Sequence, residues 1–193
     1  SAGSVWVSSI NLCVGGSINL TSTDLTGEAL NGLTLYGATI TKTKFTNANL
    51  SFASFRNIAY STAAGNQPIF TSTNLTNATI TGMQMTNINL ATATLTNLYT
   101  NNLLSCPLTS ALPANWSCVT YDGSLKRLIG PNARFYSPNG EVQPAGWSNI
   151  AFPANLTGIN FMYNRFHTCS FNNSSNFTNV NMRGAIFNSC NIL

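Results

Sequence analysis

Between residues 20 and 55 a large apolar residue returns at every fifth position: Leu20, Leu25, Leu30, Leu35, Ile40, Phe45, Leu50 and Phe55. Neither regular element repeats at five. A helix buries residues at a period of 3.6 and a half-buried strand at 2. The same grid holds Phe70, Leu75, Ile80, Met85, Leu90 and Leu95, then Leu156, Phe161, Phe166 and Phe171. After a one-residue slip in FNNSSNF it resumes at Phe177, Met182, Phe187 and Ile192, for 22 repeats in all. Two places before most large residues stands a small one, among them Ala38, Thr43, Ala48, Ala53, Ala78, Ala93, Ala154, Cys169, Val180, Ala185 and Cys190. The other places are mostly Asn, Thr, Ser or Gly. Two inward and three outward positions per five predict a narrow all-β solenoid with Leu25, Ile40, Phe45, Leu75, Phe161 and Phe187 inside. Asn and Gly suit its tight bends, because both tolerate backbone conformations closed to β-branched residues.

The grid is interrupted twice. Tyr60 and Gly65 remain on it, but AAGNQP at residues 63–68 carries turn residues and is expected to loop out or bend one coil. The longer break, residues 100–153, contains CPLTSALPANWSC, SLKRLIGPNARF and YSPNGEVQPAGW, the composition of an ordered loop against the rod. Within it PNARF predicts one further repeat with Ala133 and Phe135 inward. The expected organisation is an N-terminal arm or cap (1–17), a solenoid (18–99), a loop-rich insertion packed on it (100–153) and a return to the same solenoid (154–193).

The repeats ATITK, TKFTN, ANLSF, TNLTN, ANLTG and SNFTN resemble the pentapeptide-repeat family, whose motif is A(D/N)LXX. The resemblance covers roughly 18–99 and 154–193. It implies a right-handed quadrilateral β-helix with four repeats per coil, hence about five coils at the ~4.8 Å strand spacing, a rod on the order of 25 Å tall. Similar Cys-Pro … Leu-Pro … Trp-x-Cys inserts in the family imply a structural role for 100–153.

Composition narrows the function. Asn, Ser and Thr supply 72 of 193 residues and charged groups only 12, against roughly one quarter charged in ordinary soluble domains. The net charge of +4 is dispersed, with Lys126-Arg127 and Lys42 with Lys44 the densest groups. That is too little for the clustered phosphate contacts of nucleic-acid binding. The acidic DNA-mimicking role that the resemblance brings in for some members is contradicted by the same basic balance. No stretch approaches the roughly 18 apolar residues of a membrane span. The start SAGSVWV, without Met, is what cleavage at a small-residue site leaves, and a cut made for any other reason leaves the same.

Of five cysteines, Cys106 and Cys118 bracket a loop holding two prolines and are expected to form a disulfide in an exported chain. Cys169 and Cys190 both occupy the small inward position one coil apart, so they form either a bridge or two stacked buried thiols. Cys13 falls on the inward grid and is expected in the core. Catalytic chemistry finds no constellation: His167 follows inward Phe166 and should face solvent, and Asp24, Glu28, Asp122 and Glu141 form no pair at acid–base spacing. No enzyme, cofactor or metal is expected.

Two functional readings follow. The first is a non-enzymatic extracellular or cell-surface structural protein that self-assembles end to end, its partner being itself. Its assembly residues are Val5, Trp6 and Val7 of the apolar N-terminal arm and Ile192 and Leu193 of the last repeat, which carries no polar cap. A filament is favoured over a two-fold dimer because low charge opposes stacking little. The second reading is a solenoid that binds carbohydrate or ice through Thr- and Asn-rich faces, since Thr21 and Thr23 lie 20 residues before Thr41 and Thr43. Glycan acceptor triplets occur at Asn19, Asn49, Asn74, Asn77, Asn115, Asn155, Asn172, Asn173 and Asn176, nine where composition alone gives about six.

Overall fold

A computed structural model describes residues 4–8, 12–135 and 147–192. Its strands are short: β1 (Val5–Val7), β2 (Leu12–Val14), β3 (Thr34–Tyr36), β4 (Ser54–Arg56), β5 (Thr79–Thr81), β6 (Tyr99–Asn101), β7 (Ser117–Tyr121), β8 (Leu125–Ile129), β9 (Trp147–Ser148), β10 (Arg165–His167), β11 (Ser170–Phe171), β12 (Ile186–Asn188) and β13 (Asn191–Ile192). The parallel ladder β3-β4-β5-β6 aligns Leu35, Phe55, Ile80 and Thr100, and single bridges carry it on through Tyr99, Arg134, Asn160 and Asn181. Other faces stack as Asn19, Thr39 and Ala59, and as Ala29, Asn49, Asn74 and Thr94. The result is a right-handed quadrilateral β-helix of about 7 turns. The step between coils is 20 residues at Leu35 and Phe55 and 25 at Asn49 and Asn74. AAGNQP is the added repeat, accommodated in one coil without breaking the ladder.

Every large grid residue from Leu20 to Phe55 is buried, as are Phe70, Leu75, Ile80, Met85, Leu90, Leu95, Leu156, Phe161, Phe166 and Phe171. Two places after the large residue the backbone turns left-handed: Asn47, Asn57, Asn77, Asn87, Asn97, Asn132 and Asn179 all have φ between 54° and 61° except Asn57 at 51°. Asn reaches this region with little strain. Phe52 (φ 60°) and Tyr163 (φ 58°) stand at equivalent corners without that advantage. The Tyr163 ring packs where a Cβ on Gly184 would lie, 2.5 Å from its Cδ1, which fixes the smallest side chain in the coil above.

The insertion is shorter and deeper than its sequence led us to expect. Ala133 and Phe135 are buried as PNARF predicts, but Trp147 and Ala151 are also on the ladder, paired with Phe166 and Ser170. Solenoid therefore reappears within residues 100–153, which is why the coils number about 7 rather than about five. Residues 103–111 supply the next rungs, with Leu104 N donating to Met83 O and Leu90 N to Ala111 O. The antiparallel hairpin β7–β8 follows. Rather than lying on the rod, β8 enters it: Arg127, Leu128 and Ile129 are fully buried, and Leu128 N donates to the Thr100 hydroxyl at 2.7 Å. Cys106 and Cys118 are disulfide-bonded across the base of this excursion.

At the N-terminal end β1 and β2 form an antiparallel hairpin that places Val7 and Val14 in the core. A Cβ on Gly15 would come within 2.5 Å of the Ser4 hydroxyl, so the hairpin closes tightly. Cys13 does not occupy the core, contrary to its grid position: it is exposed opposite Trp6. The five-residue period does not yet operate here, because strand alternation sets the direction of side chains.

Candidate functional site

Two ends and four faces are available for recognition, and they differ sharply in chemistry. The coil of residues 176–192 is the least buried among the described residues. Its inward residues Phe177, Val180, Ala185, Phe187 and Cys190 are only partly buried, and Met182 and Ile186 are each 40% exposed. In the coil beneath, Leu156, Gly158, Phe161 and Tyr163 donate their amides to Asn176, Thr178, Asn181 and Arg183. The equivalent amides of Phe177, Asn179, Met182 and Gly184 find no backbone acceptor among the described residues. A row of unpaired donors thus borders an apolar interior. Cys169 and Cys190 are disulfide-bonded, with Cα atoms 4.3 Å apart, and the bridge ties this coil to the one below.

The opposite end is covered by its own hairpin. Val7 is buried there and Val5 half-buried, so of the three arm residues Trp6, 60% exposed, is the one that faces outward. Ile192 ends β13, paired with Phe171, and Leu193 lies outside the described residues.

The Asn-rich faces have a local explanation. The residue just before the large apolar one turns its side-chain oxygen onto the amide two places on: Asn19 to Thr21, Asn49 to Ser51, Asn74 to Thr76, Asn155 to Thr157 and Asn176 to Thr178, at 2.9–3.1 Å. Asn172 does the same to Ser174, and Asp24, Asn89, Asn160 and Asn181 to Thr26, Ala91, Met162 and Arg183. Six of the nine Asn-x-Ser/Thr triplets are thereby corner braces of the repeat. Asn77 is half-buried, while Asn115 and Asn173 are exposed and show no such brace. Asn115 sits in the turn after Pro113, where Trp116 N donates to Pro113 O at 3.1 Å.

The paired Thr motif does not make a flat outer face. Thr43 is fully buried, donating to Leu20 O at 2.7 Å, and Thr23 is half-buried. Thr21 and Thr41 remain outward, and Thr41 already accepts from Ser61 N. Thr73 repeats the inward arrangement by donating to Phe45 O. The small inward position, visible as a period in the sequence, decides the direction of Thr43 over its resemblance to a surface array.

Charge adds little. Lys44 pairs with Asp24 at 2.9 Å, and hydrogen bonds from Thr26 and then Lys44 hold that carboxyl down to about 2. His167 is half-buried, its Nδ1 3.4 Å from Asn188 Nδ2. Among the described residues no three His, Cys, Asp or Glu side chains gather as a metal site. Between the insertion and the late coils Asn115, Ser117, Asn155, Ser174 and Asn176 line a shallow polar groove of about 420 Å³.

The family model for pentapeptide repeats matches residues 17–57, with 8 copies. Residues 17–57 are therefore pentapeptide repeats. The match covers the most regular part of the solenoid; the later pentapeptide coils are joined to it by the ladder just described. No curated protein matches the chain. Among solved structures, full-length QnrB1, a plasmid-mediated fluoroquinolone resistance protein, is 13% identical over 89% of this chain and 71% of its own, with a TM-score of 0.38. HetL, a pentapeptide-repeat protein involved in heterocyst differentiation regulation from the cyanobacterium Nostoc, is 14% identical over 91% and 87%, with a TM-score of 0.26. Both superpose too poorly to add to what the ladder itself gives.

Proposed function

We propose that this solenoid is a non-enzymatic structural component of the extracellular space or cell surface that stacks end to end through the coil of residues 176–192. The observation that carries the reading is the pairing of unbonded amides at Phe177, Asn179, Met182 and Gly184 with a half-exposed aromatic interior. An unpaired strand row templates another strand, and an apolar floor beside it rewards that addition. Only Arg183 carries a side-chain charge in this coil, so repeated stacking meets little repulsion. The two disulfides support an oxidising compartment. Because the N-terminal end is closed by its own hairpin, stacking joins either two such coils as a two-fold dimer or one such coil to the Trp6 face as a filament, the arrangement we favour.

Sedimentation velocity with negative-stain imaging tests this. Stacking species should grow with concentration and vanish in Met182→Lys/Phe187→Lys, which puts two charges on this coil. A wild-type chain that stays monomeric at high concentration refutes the proposal. The second reading, carbohydrate held by the polar groove at Asn115 and Asn155, is served by a glycan-binding screen. Specific binding abolished by Asn155→Ala would favour it.

A further inference from the structure

The axis of the solenoid contains a fully buried cation. Arg127 of β8 has no exposed surface, and its guanidinium carbon lies 3.6 Å from the ring centre of Phe135, 4.3 Å from that of Trp147 and 5.7 Å from that of Tyr99. Three separate segments converge on it, since Tyr99 ends the early coils and Phe135 and Trp147 open the later ones, while Arg127 itself comes from the hairpin. One bond is satisfied: Nη2 donates to Arg134 O at 2.7 Å. Nε and Nη1 are buried with no acceptor, and the buried Tyr99 hydroxyl has no partner either. The nearby Tyr121 hydroxyl, by contrast, is engaged by Asn101 and Asn102. The ion pair of Lys44 with Asp24 lies on the outside of the rod.

Aromatic faces attract a guanidinium through their quadrupoles, but they accept none of its in-plane hydrogen bonds and cancel none of its charge. Unmatched buried donors are rare because each forfeits its hydration, and an uncompensated buried charge is far more costly. Escape by deprotonation is closed. Burial lowers Arg127 only to about 10, so it remains a cation at neutral pH. Among the described residues no acceptor with a negative charge faces Arg127 Nε or Nη1.

We propose that the solenoid interior beside Arg127 binds a halide-sized monovalent anion, chloride in a natural setting, held by Nε–H and Nη1–H of Arg127 with the Tyr99 hydroxyl as a further donor. The anion neutralises the cation that β8 carries inward and so fastens the hairpin between the early and late coils. A buried water would meet the hydrogen-bond demand but leave the charge, and the two occupants separate by experiment.

Thermal unfolding is followed in sodium chloride or bromide against sodium isethionate, whose anion is much larger than a halide, at equal ionic strength. The anion site predicts a rise of roughly 3 to 6 °C for each tenfold increase in halide beyond its dissociation constant. Tyr99→Phe should weaken the dependence, and Arg127→Met should abolish it while keeping its stability in isethionate. Should Arg127→Met not fold, wild-type crystals in bromide supply the second readout: an anomalous peak within about 3.5 Å of Arg127 Nε, at charge-assisted contact distance, supports the site. Equal melting temperatures in halide and isethionate, or bromide crystals with a water at that position and no anomalous signal, overturn it.

Discussion

The early coils (residues 17–99) and the late coils (129–135 and 147–192) share one ladder but are filled differently. The early interior is mostly Leu, Ile and Met, with Phe45, Phe55 and Phe70 as one aromatic group. In the late interior, Phe135, Phe152, Phe161, Phe166, Phe171 and Phe187 touch one another in a continuous set of edge-on and stacked contacts. Two pairs that stand on one face in successive coils lie nearly parallel, Phe166 and Phe187 at 4.8 Å and 10° and Phe152 and Phe171 at 4.6 Å and 7°, whereas Phe135 and Phe161, on neighbouring rungs of one ladder, meet edge-on at 66°. Both the stacked and the edge-on arrangements are favourable aromatic geometries. The early half is held by repetition of one small unit. The late half is held by fewer, larger contacts and a disulfide, and it contains the coil of residues 176–192.

The largest effect should separate the halves directly. Phe161→Ala removes a ring in contact with Phe135, Phe152, Phe166 and Phe187 and should cost about 3 to 5 kcal/mol. Leu25→Ala, buried in the early half, should cost about 2 to 5 kcal/mol, nearer the lower figure, because small neighbours can close the gap. Chemical denaturation of both variants checks this, and a larger loss at Leu25 would reverse the comparison.

Next comes the staple. Converting Cys169 and Cys190 together to Ser should remove about 3 kcal/mol by the loop-entropy relation. Amide exchange should quicken in residues 165–192 and stay unchanged in 20–60.

The sequence carried the early half almost completely and the late half incompletely. A five-residue period survives any choice among Leu, Ile, Met and Phe, so the inward positions could be read without knowing the partners. The adjacent-coil position of Cys169 and Cys190 follows from the same spacing, and the pairing of Cys106 with Cys118 from the short proline-containing loop they bracket. Arg127 could not be read in this way. SLKRLIGP has no period of five, and a Lys-Arg pair ordinarily faces water, whereas its burial depends on Tyr99, Phe135 and Trp147 arriving from distant points of the chain. Cys13 was placed by extending the grid into a hairpin that obeys a different alternation. Thr21 and Thr23 with Thr41 and Thr43 have the spacing of an outer array, but Thr43 also holds the small inward place, and packing favours the latter.

A smaller effect concerns the corners. Phe52 is 66% exposed and bends left-handed, so Phe52→Gly should relieve strain and stabilise the early half by about 1 kcal/mol. The same change at Tyr163 should gain less, because its ring packs over Gly184.

The smallest concerns Asp24. Its folded carboxyl sits at about 2, below the ordinary aspartate value, so its contribution is present above that ordinary value and is lost as pH falls toward 2. A slight acid sensitivity of the early half, absent in Asp24→Asn, is the expected outcome in melts between pH 5 and 2. Expression in a glycosylating secretory pathway sharpens the surface comparison in the same spirit: sugar should attach at exposed, unbraced Asn115 or Asn173 and spare the corner asparagines, as peptide mapping would register.

Amide exchange as a function of protein concentration tests most directly the proposal that the coil of residues 176–192 accepts a second chain. The account predicts fast exchange at Phe177, Asn179, Met182 and Gly184 in dilute solution, with protection rising as concentration rises, while Leu35, Phe55 and Ile80 stay protected throughout. Slow exchange at those four amides in dilute solution, unaltered by concentration, would contradict it.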